Sequence, residues 1–392
     1  MQNFRMIEQL KVELAERAQA GLKRKRRLLQ SPQAAHLVAD GQRLLSFASN
    51  DYLGLANHPN LISALQYGAI EAGVGGGASH LITGHHQFHH DAELSLAGFV
   101  GLPAGLLFST GYMANMGVVA ALLGRNDAIF ADKLNHASLN DAAILARADL
   151  NRYAHQDLVQ LEKMLVASTA PRKLVIVDAV FSMDGDIAPL PQLLALCEKY
   201  DAYLLLDDAH GFGVLGEQGR GILSHFNVAS PRIIYMATLG KAAGVAGAFV
   251  AGDAIIIEYL IQSANTYIYT TASSPALAAA LVAAVNVMQN DEARHKHLQD
   301  LIAYFKQHLS LKRWQLMPSD TAIQPIVVGG NEAALSLSEY LLTQGVLVPA
   351  IRPPTVPKNT ARLRISLSAA HTLDDVNLLI QHLHEAEKVL LA

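Results

Sequence analysis

The chain has 392 residues, room for roughly two or three domains and a large core. Hydrophobic residues make up 51% and charged ones 16%, which excludes a disordered or fibrous chain, and 30 basic against 34 acidic residues argue against a protein that neutralises many nucleic-acid phosphates. The single cysteine, Cys197, excludes a disulfide framework or a multi-cysteine metal site. Together with an N-terminus that interleaves charges with apolar residues, unlike a signal peptide, it points to a cytoplasmic location. The longest apolar run, Ala276 to Val285, is far short of the ~20 residues a membrane helix needs.

Apolar Phe4, Ile7, Leu10, Leu14, Ala18 and Leu22 recur at helical spacing, which predicts an amphipathic helix from Phe4 to about Leu29. Short aliphatic runs follow at Ala104–Phe108, Ala128–Ala131, Leu174–Asp178, Tyr203–Asp207, Ile233–Ala237 and Gly247–Ala251, each leading into a polar or glycine-rich turn. Runs that are apolar throughout suit strands buried on both faces of a parallel sheet, an α/β pattern. Beyond the alanine-rich helix at 275–289, the pattern predicts a helix at 292–310, a strand at 323–328 and a helix at 331–344. Strands at 347–349 and 362–367 and a last helix from Thr372 complete it. The expected division is an N-terminal helix and arm at 1–45, a large domain at 46–285 and a small α/β domain at 286–392.

In α/β sheets ligands bind at the carboxyl ends of the strands, so the residues closing each run carry the functional reading. Tyr203–Leu206 ends in Asp207, with His210 in the following turn; Ile233–Ala237 leads into Thr238 and, in a glycine-flanked loop, Lys241. Leu174–Val177 ends in Asp178, with Ser182 beyond; the strand at 128–131 leads to His136. The run at 104–108 opens into Ser109-Thr110-Gly111-Tyr112, a small-residue turn able to offer backbone N–H groups to a phosphate. Each feature alone has a bland reading as a helix cap, a solvated lysine or a common turn. Taken together they match one cofactor: pyridoxal 5′-phosphate needs a lysine for a Schiff base, an acid at its ring nitrogen, a phosphate cup and a stacking group.

The segments NDYLGL at 50–55, STGYMAN at 109–115, NHAS at 135–138, FSMDGD at 181–186, DDAHGFGVLGEQGRG at 207–221 and TLGK at 238–241 closely resemble the α-oxoamine synthases, fold-type I pyridoxal-phosphate enzymes. The resemblance covers nearly the whole chain. It implies a mostly parallel sheet with helices on both faces, a small C-terminal α/β domain, and a homodimer with shared active sites. By this resemblance Lys241 is the Schiff-base lysine and proton-transfer base, and Asp207 the partner of the ring nitrogen. His210 and Ser182 reach the phenolic oxygen, His136 stacks on the ring, Gly111 and Tyr112 contact phosphate or ring, and Thr238 the phosphate. Thr270 and Thr271 reach the phosphate of the neighbouring subunit, Arg352 grips the amino-acid carboxylate, and Thr355, Asn50 and Arg24 contact substrate. Within the family, IRPPTVPKNTARLRISLSAAHT at 351–372 points to a member joining L-alanine to pimeloyl-CoA or pimeloyl-acyl-carrier protein. The alternative is a member that uses glycine and acetyl-CoA. Two positions depart from the family pattern: Asp178 where glutamate is frequent, and Asn359 where glycine is common.

Other motifs carry less. GVGGGA at 73–78 follows a helix-like stretch instead of a strand, so it is no dinucleotide loop. His80, His85, His86, His89 and His90 include pairs at helical spacing but lack the glutamate of H-E-x-x-H, so a polar helix start is expected there and no metal site.

Overall fold

The computed structural model describes residues 5–390. Seven strands form the central sheet, in the spatial order Ala104–Phe108, Ala248–Gly252, Ile233–Thr238, Tyr203–Asp207, Lys173–Asp178, Ala128–Asp132 and Asp149–Tyr153. Six share one direction, and Ala248–Gly252 runs antiparallel to both of its neighbours. Alternate residues of the middle strands enter different cores: Leu204 and Leu206 pack on one face, Leu205 on the other. Helices therefore cover both faces, and each fully buried leucine contributes roughly 1.5–3 kcal/mol. The six strands expected from the apolar runs are present. The seventh, Asp149–Tyr153, was not expected, because an edge strand of sequence DLNRY buries only Tyr153 and has no apolar signature.

After the Pro275–Asn290 helix, Asp291 caps a second helix, Glu292–His308, by accepting the Arg294 N–H at 3.1 Å. The expected boundary at 285/286 falls inside the first of these helices. A four-stranded antiparallel sheet follows, ordered Gln315–Leu316, Ile323–Gly329, Ala361–Ser366, Ala350–Ile351. Where one strand at 347–349 was expected, two short ones occur. Val346–Leu347 leaves this sheet and pairs in parallel with Gln42–Ser46, the second strand of a hairpin begun by His36–Ala39. The N-terminal arm is thus built onto the C-terminal part of the chain.

The N-terminal helix is shorter than its periodicity suggests. It spans Arg5–Gln19, buries no residue, and stops before Gly21, whose φ of +66° leaves the helical region. Residues 23–27, a run of five like charges, follow it without regular secondary structure; Phe4 lies outside the described residues. Among the described residues no helix is long and apolar enough to cross a membrane.

Candidate active site

The carboxyl ends of Lys173–Asp178, Tyr203–Asp207 and Ile233–Thr238 open into a cavity of about 270 Å³. Parallel register sets Asp178 directly beside Asp207. Gly111, Tyr112, His136, Ser182, His210, Thr238 and Lys241 line the same space, so eight of the sequence-expected site residues meet here, Asp207 included. A second cavity of about 290 Å³ lies at the opposite strand ends, lined largely by apolar side chains such as Leu123, Leu174 and Ile234, and brings no comparable set of groups together.

Lys241 sits in the loop joining two adjacent antiparallel strands. The loop is bonded to itself, Leu239 N–H to the Gly247 carbonyl, Val245 N–H to Leu239 and Gly244 N–H to Lys241, each at 2.9 Å. Burial pulls the Lys241 amine down to about 8, against the pull of Asp207. Its Nζ lies 2.9 Å from His210 Nε2, and His210 Nδ1 lies 2.6 Å from the Tyr52 hydroxyl. Burial, then the charges of Lys241 and Arg364, hold His210 neutral, well below its usual range. A neutral ring satisfies the chain of contacts: Lys241 donates to Nε2, Nδ1–H donates to Tyr52, and Tyr52 donates to Asn50 Oδ1 at 3.1 Å. The loops can approach because Gly213, at φ +80°, has no side chain; a Cβ there would lie 2.4 Å from that of Ala242.

Asp207 accepts the Asn115 amide at 2.8 Å through Oδ2 and the Ala209 N–H at 3.1 Å through Oδ1. Asn115 also donates to Ser138 at 2.9 Å, and the Ser138 hydroxyl meets His136 Nδ1 at 2.8 Å. Burial holds His136 below its usual range, against the attraction of Asp207. Asp178 accepts the His136 N–H at 3.0 Å, so the shorter acid reaches the backbone, and burial followed by the charge of Asp207 drives its carboxyl well up. Thr110 caps the helix Gly111–Leu122 by accepting the Met113 N–H at 3.1 Å. A Cβ on Gly111 would fall 2.5 Å from Thr238 Cγ2, so glycine brings this helix start against Thr238.

Two polar atoms of residues lining the cavity, Thr238 Oγ1 and Asp178 Oδ1, are buried without a hydrogen-bond partner. Each such atom costs about 1–3 kcal/mol, a cost that a polar ligand relieves. A free hydroxyl beside a helix N-terminus fits a phosphate, and a buried lysine near two carboxylates fits an aldehyde-bearing cationic ring, so the residues present suit pyridoxal 5′-phosphate.

The other expected residues form separate groups. Arg352 donates to the Gly21 carbonyl, and Arg24 donates to the Thr355 hydroxyl at 3.4 Å, outside the Lys241 cavity. Thr270 and Thr271 are absent from that cavity's lining; Thr271 is exposed and bridged to Ser79. Asn359, in the place where glycine is common, has φ +63°, a left-handed conformation that asparagine tolerates better than most residues.

Sequence reading missed Arg364. It is 5% exposed and donates to the Ser182 carbonyl at 2.6 Å and to Asn50 Oδ1 at 3.0 Å, with Tyr52 at 3.3 Å. It also missed His155, whose ring nitrogens contact Asp132 at 3.2 Å and Asp186 at 2.8 Å. Asp186 ends the loop that carries Ser182, its carbonyl accepting the Phe181 N–H at 3.0 Å.

The family model for aminotransferase class I and II matches residues 42–383. The chain belongs to the class I and II aminotransferase family. Among its relatives in this family are 8-amino-7-oxononanoate synthases from Methylobacillus flagellatus, 63% identical, with 98% of this chain and 97% of the relative covered, and from Nitrosospira multiformis, 60% identical, with 97% and 96% covered. Among solved structures, a lysine-to-alanine variant of serine palmitoyltransferase from S. paucimobilis with a bound PLP–myriocin aldimine superposes with TM-score 0.92 at 26% identity, covering 99% of both chains. An 8-amino-7-oxononanoate synthase from Francisella tularensis gives TM-score 0.77 at 31% identity, covering 89% of this chain and 99% of the other. The fold is that of the fold-type I pyridoxal-phosphate transferases.

Proposed function

We infer that the protein is a pyridoxal-phosphate-dependent 8-amino-7-oxononanoate synthase of biotin biosynthesis, acting as a cytoplasmic homodimer on L-alanine and a pimeloyl thioester of CoA or acyl-carrier protein. The observation that carries the reading is the Lys241–His210–Asp207 set at two adjoining strand ends, in a chain whose relatives at 55–63% identity over nearly its full length bear that one name. The Cα–H bond of L-alanine breaks, Cα displaces the thiol from the thioester carbonyl, the carboxylate leaves as carbon dioxide, and Cα is reprotonated.

Pyridoxal 5′-phosphate, when bound, supplies an aldehyde that condenses with amines and a protonated ring that withdraws electrons from the adjoining carbon. The Thr238 hydroxyl and the N–H groups opening Gly111–Leu122 receive its phosphate, and Gly111 and Tyr112 wall that end. Thr270 and Thr271 serve the phosphate of the neighbouring subunit. Asp207, fixed by Asn115 and Ala209, holds a proton on the ring nitrogen. His136 would lie against the ring, and Ser182 and His210 would reach its phenolic oxygen. Lys241, pulled to about 8, is partly free base near neutral pH, removes the Cα proton of alanine and later returns one. Arg352 exchanges the neutral Gly21 carbonyl for the charged alanine carboxylate, the stronger acceptor, with Asn50 and Thr355 completing the substrate side. Arg24, within the basic run 23–27, attracts the anionic thioester.

The test is free-thiol release by the cofactor-loaded protein across L-alanine, glycine and L-serine against acetyl-, palmitoyl- and pimeloyl-CoA. Preference for L-alanine with pimeloyl-CoA in kcat/KM supports the reading; preference for glycine with acetyl-CoA replaces it.

A further inference from the structure

Outside the Lys241 cavity, among the described residues, the clusters of metal-ligating side chains lie where the turn His80–Gly84 passes into the helix Gln87–Val100. Two overlapping triads share His85: an inner one with His80 and His89, and an outer one with His90 and Glu93, each with one ligand atom per residue within 4.8 Å of the others. In the inner triad His89 has no free lone pair. His89 Nδ1 accepts the His86 N–H at 3.0 Å, which obliges Nε2 to carry the proton it gives to the Ser273 carbonyl at 3.0 Å.

The outer triad has its lone pairs available. His90 and Glu93 stand three residues apart on one helix and so share a face. Glu93 spends one oxygen on the Leu107 N–H at 2.9 Å and turns the other toward His85 Nε2, 3.9 Å away. The remaining nitrogen of His85 lies 3.0 Å from His80 Nδ1; when His85 donates that proton, its Nε2 lone pair faces Glu93. His80 is in turn stacked on Tyr267 at 4.8 Å and 13°. Glu93 is 8% exposed, and among the described residues its nearest ion-pairing group is His85.

We propose that His85, His90 and Glu93 form a divalent-metal site of two imidazoles and one carboxylate, suited to Zn²⁺, with His80 orienting His85 from outside. Donors of a tetrahedral zinc site at ~2.1 Å bonds stand ~3.4 Å apart, so His85 and Glu93, at 3.9 Å, need only a small inward shift. His85 and His90 are solvent-accessible, which leaves the remaining coordination position to water or an outside ligand. An imidazole fixed by a hydrogen bond from its far nitrogen is the usual support for such a ligand.

The experiment uses the tag-free holoenzyme, stripped with chelator, desalted, and titrated with Zn²⁺ and separately with Co²⁺. Expected are about one Zn²⁺ retained per chain and a Co²⁺ d–d absorption at longer wavelength than the cofactor band. His90→Ala and Glu93→Gln lower the affinity more than tenfold, and His80→Gln lowers it about 10–100-fold with all three ligands in place. His225→Ala, an exposed histidine on another helix, leaves it unchanged. Substoichiometric retention, or an exposed-site His90→Ala variant that binds like the parent, overturns the proposal.

Discussion

His210 and His155 both lie beyond strand ends, both touch acid–base partners through each ring nitrogen, and they end in opposite charge states. Around His210 the neighbours are cations, Lys241 and Arg364, and burial reinforces them, so the ring stays neutral. Around His155 burial acts against the charge, yet Asp132 and Asp186 outweigh it and hold the imidazole up to about 10. The first is a neutral relay beside a reactive amine. The second is a cationic pin between the strand end at Asp132 and the loop carrying Ser182. Burial by itself does not choose the state of a histidine; its nearest charges do.

The comparison is broken most severely at Lys241. Lys241→Ala is expected to lower kcat for thiol release by about a thousandfold or more and to remove borohydride-sensitive absorbance from the loaded protein. Asp207→Asn keeps the Asn115 contact nearly isosteric while removing the charge, and should cost about 10²–10³-fold in kcat, read in the same assay. Arg352→Ala loses a charge-assisted hydrogen bond worth ~1.5–3 kcal/mol, so KM for L-alanine should rise by about ten- to a hundredfold with kcat less affected. The smallest effect belongs to His155. Its pKa is raised on folding, so its stabilisation is fully present below about 6.5 and declines as pH rises from there toward about 10. Thermal unfolding should show Tm falling between pH 7 and 10 more steeply in the parent than in His155→Gln; equal slopes would remove the cationic pin.

The difference between these histidines also marks how far the sequence could be read. Fully apolar runs reveal strands buried on both faces, and the polar residue ending each run reveals the side of the sheet that opens into the cavity, which is why Asp207, Thr238 and Lys241 were legible. His155 follows DLNRY, an edge strand without an apolar signature. Arg364 lies in ARLRIS, where alternating arginines look like the wet face of a half-exposed strand. In the structure both Arg362 and Arg364 are buried at 5% exposure, because the Ser182 loop covers that face. Such burial depends on a segment about 180 residues away, which periodicity cannot report. The N-terminal helix was overextended for a related reason: spacing gave its face, while Gly21 and the charges after it set its end.

The reversed strand Ala248–Gly252 has one more consequence. Every other strand end of the site feeds a long crossover, but Lys241 is enclosed between Thr238 and Ala248, which face each other across the sheet. Closing so short a loop costs little chain entropy. The tether of Lys241 is therefore a self-contained hairpin, and a circular permutant cut in the 227–232 connection, just before that hairpin, should still hold Lys241 in place against His210.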